Sequence, residues 1–206
     1  MKETPLPVQG WGVQAILGRT GSCVKTQTRR IIDLRVPGIT KILPTFEDGK
    51  PSNVWMAYDE HGESSVARCR YGTAGDRLWV KETYCPLERC DWVGRKREEN
   101  VNYRADATPA GESERKEMGY RWKSGMFMPR WASRIILDIV DVRPQKVQEI
   151  TETDIRAEGC PDEFYLHPFD WWIPLWDSIN GKRGYGWAVN PWVWAIGFRR
   201  LETANA

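Results

Sequence analysis

Apolar and polar positions alternate most regularly near the end of the chain. Trp192, Trp194, Ile196 and Phe198 recur at period two opposite Val193, Ala195, Gly197 and Arg199, which predicts a strand. The same period appears over Arg77 to Tyr84, where Leu78 and Val80 face one way and Trp79 and Lys81 the other. It appears again over Arg134 to Val142, with Ile136, Asp138, Val140 and Val142 on a mixed, partly buried face. Val54 to Tyr58 and Val66 to Tyr71 read as two further strands, with His61-Gly62 as the hairpin turn between them. Helical spacing is confined to short stretches. Val8 to Leu17 predicts a helix stopped by Gly18, and Glu149 to Gly159 one capped by Thr151 with Asp154 three residues on, a variant capping box. Asp170 to Asn180 predicts a third, with Pro174 in its first turn. Pro37, Gly38, Pro44, Gly49 and Pro51 mark an irregular stretch, and Gly181 to Gly186 a basic loop.

Between Cys85 and Gly125 the periodicity gives way to charge runs such as Gly94 to Asn100 and Gly111 to Glu117, which read as a solvated insertion rather than a second core. Several short strands, interrupted by short helices and one long insertion at about 85–125, predict an α+β fold built on a small mixed barrel. With 206 residues the chain is expected to form one domain over 1–206.

Composition narrows the function classes. Charged residues make up 28% of the chain, yet the formal net charge is only +2, so a basic footprint has to be local: Lys25 to Arg30 or Arg95 to Arg97. Five cysteines without paired CxxC spacing and only two histidines, His61 and His167, predict a reduced protein with no metal and no cofactor. No apolar run approaches the roughly 20 residues a membrane helix needs, and no signal peptide opens the chain, so a cytoplasmic protein without a membrane partner is expected. Neither GxGxxG, GxxxxGK[ST] nor G-x-S-x-G occurs. Of the twelve tryptophans six crowd the C-terminal third, Trp171, Trp172, Trp176, Trp187, Trp192 and Trp194, where they fill a core or line a ligand cleft.

Lys25-Thr26-Gln27-Thr28-Arg29-Arg30 packs three cations, two hydroxyls and an amide into six β-prone residues. Such a density of donors suits a polyanion or a nucleobase; the plainer reading is an edge strand whose cations discourage edge-to-edge pairing.

The order of these elements resembles the ASCH family, whose members have a PUA-like β-barrel. The resemblance is carried by the N-terminal helix followed by Lys25 to Arg30, by Gly75-Asp76-Arg77-Leu78, by the short helix Thr151 to Glu158, and by the closing strand Trp192 to Phe198. Met128-Pro129-Arg130-Trp131-Ala132-Ser133-Arg134 and Asn190-Pro191-Trp192-Val193-Trp194 resemble the longer members found in phages and prophages. The family includes bacterial amidohydrolases that remove the acetyl group from N4-acetylcytidine with a lysine, a threonine three residues later and a glutamate from the short helix. The resemblance therefore implies Lys25, Thr28 and Glu158 as catalytic residues.

In the reaction this implies, Lys25 activates Thr28 or a water to attack the acetyl carbonyl, Glu158 protonates the departing amine, and Arg29 or Arg30 stabilises the oxyanion. Neighbouring Arg29 and Arg30 lower a lysine pKa, and a helix C-terminus disfavours a carboxylate's charge by about 0.3–1 kcal/mol. Geometry raises an objection, since residues three apart in a regular strand point to opposite faces. Lys25 and Thr28 converge only if a bulge or turn intervenes or the lysine stem wraps round. A different class of function is a non-catalytic module binding a nucleoside or single-stranded RNA or DNA, with Thr26, Gln27, Arg29, Arg30, Arg130 and Trp131 as contacts. A third is a phage accessory protein that works through host-protein contacts made by the insertion. The oligomeric state is left open.

Overall fold

The computed structural model describes residues 1–19, 21–33, 38–47, 50–87 and 101–201. Cys90, the Arg95 to Arg97 stretch, Pro37 and Gly49 lie outside them.

Five strands form the main sheet: β1 (Glu3–Pro7) and β2 (Gln27–Ile31) at its edges, and β6 (Arg77–Lys81), β9 (Ile136–Lys146) and β10 (Trp192–Arg200) between them, in the order β1-β6-β9-β10-β2. Neighbours are antiparallel except β1 and β6, which run parallel. Pro5 and Pro7 suit β1 to an edge, because a proline has no N–H to donate to a ladder. A second sheet joins β3 (Lys41–Glu47), β4 (Lys50–Tyr58) and β5 (Ser64–Ala67), and β7 (Tyr84–Pro86) pairs with β8 (Val101–Tyr103). The helices are α1 (Gly10–Ile16), α2 (Pro109–Glu117), α3 (Glu152–Ala157) and α4 (Pro168–Asn180).

The fold is thus α+β, but among the described residues the sheets remain open rather than closing into the expected barrel. Three local expectations are also corrected. The irregular stretch after Ile32 contains most of the β3–β4 hairpin, whose ladder accommodates Pro44 opposite Trp55 by shifting register before Phe46. On β9 the buried face is Leu137 and Ile139, fully enclosed, whereas Val140 is exposed. Pro174 lies in the interior of α4, because the helix begins earlier, at Pro168.

β10 is the centre of the molecule. Trp194, Ile196 and Phe198 enter one core with Leu6, Leu78, Val80, Leu137 and Ile139, covered by Val13 and Ile16 of α1 and by Ala57 and Ala67 of the smaller sheet. Val193 on its other side joins a second core with Ile155 of α3 and Trp172 and Trp176 of α4. A one-residue slip of a strand buried on both faces would send each set of side chains into the other core. Polar β2, paired along β10 from Gln27 to Ile31, is thereby held between the two cores.

Candidate functional site

Three backbone features bring the candidate side chains together. Lys25 precedes β2, and its N–H is taken by the carbonyl of Ala15 at the end of α1, 3.1 Å away. Thr26 donates its N–H to Ala157 of α3 at 2.8 Å and accepts from Phe198 of β10 at 2.8 Å, which ties helix to sheet. The third feature is the end of α3. Its start is the capping box read from the sequence, with the Thr151 hydroxyl accepting from Asp154 N–H and the Asp154 carboxylate accepting from Thr151 N–H. Its end is Gly159 at φ +90°, where a Cβ would stand 2.6 Å from Ala15 Cβ and 3.1 Å from Lys25 Cβ. Only glycine lets the helix terminus close on α1 and on Lys25.

Glu158, the residue before that glycine, is consequently driven into the interior, 2% exposed, with a cation on each carboxylate oxygen. Lys25 Nζ lies 2.5 Å from Oε2 and also donates to the Glu158 carbonyl at 2.9 Å. Arg29 Nη1 lies 3.0 Å from Oε1 and donates to Gln27 Oε1 at 2.8 Å, while Nη2 is 3.1 Å from Asp154 Oδ2. Two cations converging on one buried carboxylate is the arrangement that charge burial requires. Burial pushes the Lys25 ammonium below its ordinary pKa, the attraction of Glu158 opposes this, and Arg30 and Arg29 add to the lowering. Close ion pairs, not the weak dipole of a six-residue helix, dominate the surroundings of Glu158.

Lys25, Thr28 and Glu158 all line one cavity of about 920 Å³, with Arg29 and Arg30. The objection from strand geometry lapses because regular pairing begins only at Gln27, so Lys25 is free of the alternation that orients Thr28. β2 is an edge, as the plainer reading of this segment had it, yet Lys25, Gln27, Thr28 and Arg29 are buried rather than solvated.

Aromatic side chains make up much of the remaining wall. Trp172 and Trp176, four residues apart on α4, present one helix face to the cavity, joined by Trp11, Trp194, Tyr71 and Tyr185. Lys25 Nζ sits 5.2 Å above the Trp11 ring and the Arg29 guanidinium 5.8 Å from Trp172. Trp176 is fixed by donating to the Tyr185 carbonyl at 2.8 Å. The sequence pattern marks the C-terminal tryptophans as core or cleft; α4 uses Trp172 and Trp176 as both.

Four other predicted contacts lie elsewhere. Thr26 is exposed and contributes through its backbone, and Gln27 is buried as a brace for Arg29 rather than as a lining residue. Arg130 pairs with Glu3 of β1 at 2.9 Å, and Trp131 packs against a third core with Tyr84, Val101 and Met128; neither lines the cavity. Residues the sequence reading passed over are Arg68, Arg70, Tyr71, Arg183 and Tyr185, which come to the cavity from the end of β5 and from the turn after α4. Only the basic character of the 181–186 loop hinted at them.

Among the described residues no group of three or more His, Cys, Asp or Glu side chains could hold a metal ion. No helix among them is long and apolar enough to cross a membrane. No protein-family model matches the chain, and no curated protein matches it. Among solved structures, the crystal structure of an Enterococcus faecalis V583 protein carrying the family-model name DUF984 is similar over 100% of this chain and 84% of that chain, at 10% sequence identity and a TM-score of 0.42.

Proposed function

We propose that the chain is an amidohydrolase that removes the acyl group from N4-acetylcytidine or a closely related acylated cytosine compound, in the manner of the ASCH proteins its motifs resemble. The observation that carries the reading is that Lys25 and Glu158, 133 residues apart in sequence, meet at 2.5 Å in the wall of the cavity that Thr28 also lines.

The pair suits the chemistry because one internal proton transfer prepares both catalysts. Moving a proton from Lys25 to Glu158 creates an amine base and a carboxylic acid together without changing the net charge of the buried cluster. Lys25 then accepts the proton of the Thr28 hydroxyl as its oxygen bonds to the acyl carbon. Glu158 gives its proton to the N4 nitrogen as the C–N bond breaks. The products of this half are an acyl-threonine, the free cytosine amine and the original ion pair. Water, deprotonated by Lys25 after the same internal transfer, releases the acid and restores Thr28. Arg29 and Arg30 line the same wall, which supports their role as oxyanion stabilisers, and the tryptophans offer faces for the base.

Wild-type protein is expected to hydrolyse N4-acetylcytidine to cytidine and acetate. Glu158→Gln should reduce that turnover by about 10²–10⁴-fold, the worth of a positioned acid or base. Since this change also leaves buried Lys25 without its counter-charge, while Arg29 keeps Asp154, at a cost of about 3–5 kcal/mol, the cleaner variant is Thr28→Val. It should lose turnover while costing about 1 kcal/mol or less in stability. Wild-type protein that releases acetate from no acylated cytidine, free or within RNA, would sink the proposal and leave the aromatic, cationic cavity as a nucleotide-binding site without catalysis.

A further inference from the structure

The charges around the cavity do not balance. Lys25 and Arg29 are matched by Glu158 and Asp154 in the buried cluster, and Arg30 donates to the Pro7 carbonyl at 2.7 Å. Arg68, Arg70 and Arg183 also line the cavity, all three are exposed, and among the described residues none of them has an ion-pair partner. Against them stands a single further lining carboxylate, Asp33, itself exposed. Two of the three are aimed by stacking: the Arg70 guanidinium lies 5.3 Å from the centre of the Tyr71 ring, and that of Arg183 lies 5.7 Å from Tyr185, both tyrosines being in the cavity wall. The Nε of Arg30, buried in the same wall, has no hydrogen-bond partner. The whole chain carries a net charge of only +2, so the excess of guanidinium groups at this cavity does not follow from the overall charge.

A neutral nucleoside gives these groups nothing to bind. We propose that the substrate carries a phosphate on its ribose, held at the mouth by Arg68, Arg70 and Arg183 while the acylated base reaches Lys25, Thr28 and Glu158. The substrate class is thus an N4-acylated cytosine nucleotide. Guanidinium forks bind phosphate through paired N–H donors, and a cavity near the top of the roughly 300–1,000 Å³ range of small-ligand sites has room for base, sugar and phosphate together. The inference rests on the amidohydrolase reading for the identity of the base and on the unpaired arginines for the phosphate.

The test compares kcat/KM for N4-acetylcytidine and for its 5′-monophosphate, in wild-type protein and in the Arg68→Gln/Arg70→Gln/Arg183→Gln variant, at low and at raised salt. Wild type should prefer the nucleotide by about tenfold or more at low salt. The preference should shrink as salt screens exposed charges and fall close to parity in the triple variant, with the nucleoside as internal control for folding. A short single-stranded RNA with one internal N4-acetylcytidine, run in parallel, distinguishes the source of the phosphate: faster turnover of the mononucleotide marks a free nucleotide, faster turnover of the RNA a strand. Parity in the wild type, or a preference that survives the triple substitution, overturns the phosphate assignment while leaving the amidohydrolase reading intact. If neither substrate turns over, that reading fails, and calorimetric binding of the two compounds decides the phosphate separately. Tighter binding of the nucleotide that is lost in the triple variant upholds the anion site, and equal binding overturns it.

Discussion

Lys25 illustrates how a side chain buried at a cost to the fold can be the one on which the proposed chemistry rests. It is 5% exposed, and its burial outweighs the attraction of Glu158, so the ammonium is less favoured in the folded protein than in the unfolded chain, where its pKa is ordinary at 10.5. The sign of the pH dependence follows. In the window below pH 10.5 where the unfolded chain keeps this proton and the folded protein has lost it, the unfolded state binds more protons, and stability rises with pH. Below the folded pKa both states are protonated and the penalty is constant. The groups that face the amine are Glu158, Arg29 and Arg30, and the first alone resists the proton's departure. Lys25→Met removes the titrating group, so the difference in unfolding free energy between wild type and variant should change with pH across that window and flatten below it. Parallel curves for the two proteins at every alkaline pH would show that Lys25 keeps an ordinary affinity for its proton.

At the scale of elements, the site is made where the C-terminus of α3 meets α1 and the approach to β2. Gly159→Ala tests that junction, because it adds a methyl where Ala15 Cβ would be 2.6 Å away and holds a side chain at φ +90°. The expected cost is about 1–3 kcal/mol for the backbone conformation, with turnover falling because α3 withdraws Glu158 from Lys25. A variant with unchanged melting temperature and turnover would mean that the junction is slack. The α3 helix was legible in the sequence because Thr151, Asp154 and Gly159 are local signals that require no partner. β10 was legible because its period-two apolar pattern coincides with real burial on both faces. β9 misled because Val140 is apolar yet exposed, Leu137 and Ile139 on the other face reach the core, and a register shift opposite Gly197 and Phe198 returns Val142 to the core side; periodicity names two faces and does not say which is covered. The β3–β4 hairpin was hidden by Pro44, whose punctuation is absorbed by a register shift. Lys25, Thr28 and Glu158 could be named from motifs, but the rim arginines could not. Arg68, Arg70 and Arg183 have no mutual spacing to read and become neighbours of one cavity only through the packing of α4 and the smaller sheet around β2.

Across the whole molecule, the segment read as a solvated excursion turns out to brace the site from behind. Helix α2 buries none of its residues, as its charge run predicts. The turn at Arg104–Asp106 just before it behaves otherwise. Gln14 of α1 donates to the Ala105 carbonyl, and Asp106 bridges Arg19, just beyond α1, to Arg134, just before β9. Arg134 in turn grips Glu82 with two parallel bonds of 2.9 and 3.0 Å and lies 3.9 Å from the Tyr103 ring. Burial pushes the Tyr103 hydroxyl up to about 12, and it donates to the Ala132 carbonyl at 2.8 Å. Arg134 therefore connects the main sheet, the returning insertion and the helix on which Lys25 is docked. Arg134→Met keeps the length of the side chain but leaves Glu82, 3% exposed, without its counter-charge. Stranding a buried charge costs about 3–5 kcal/mol, and the loss should be uneven. Amide exchange should accelerate first at Arg104, whose N–H is held by the Thr83 carbonyl at 3.0 Å, and at Lys25, held by Ala15, while β10 stays protected up to global unfolding. Uniform acceleration across the chain would show that the network supports the fold generally and gives α1 no particular brace. An unchanged melting temperature would show that Glu82 finds water or another partner and that the insertion is the independent excursion its composition suggests.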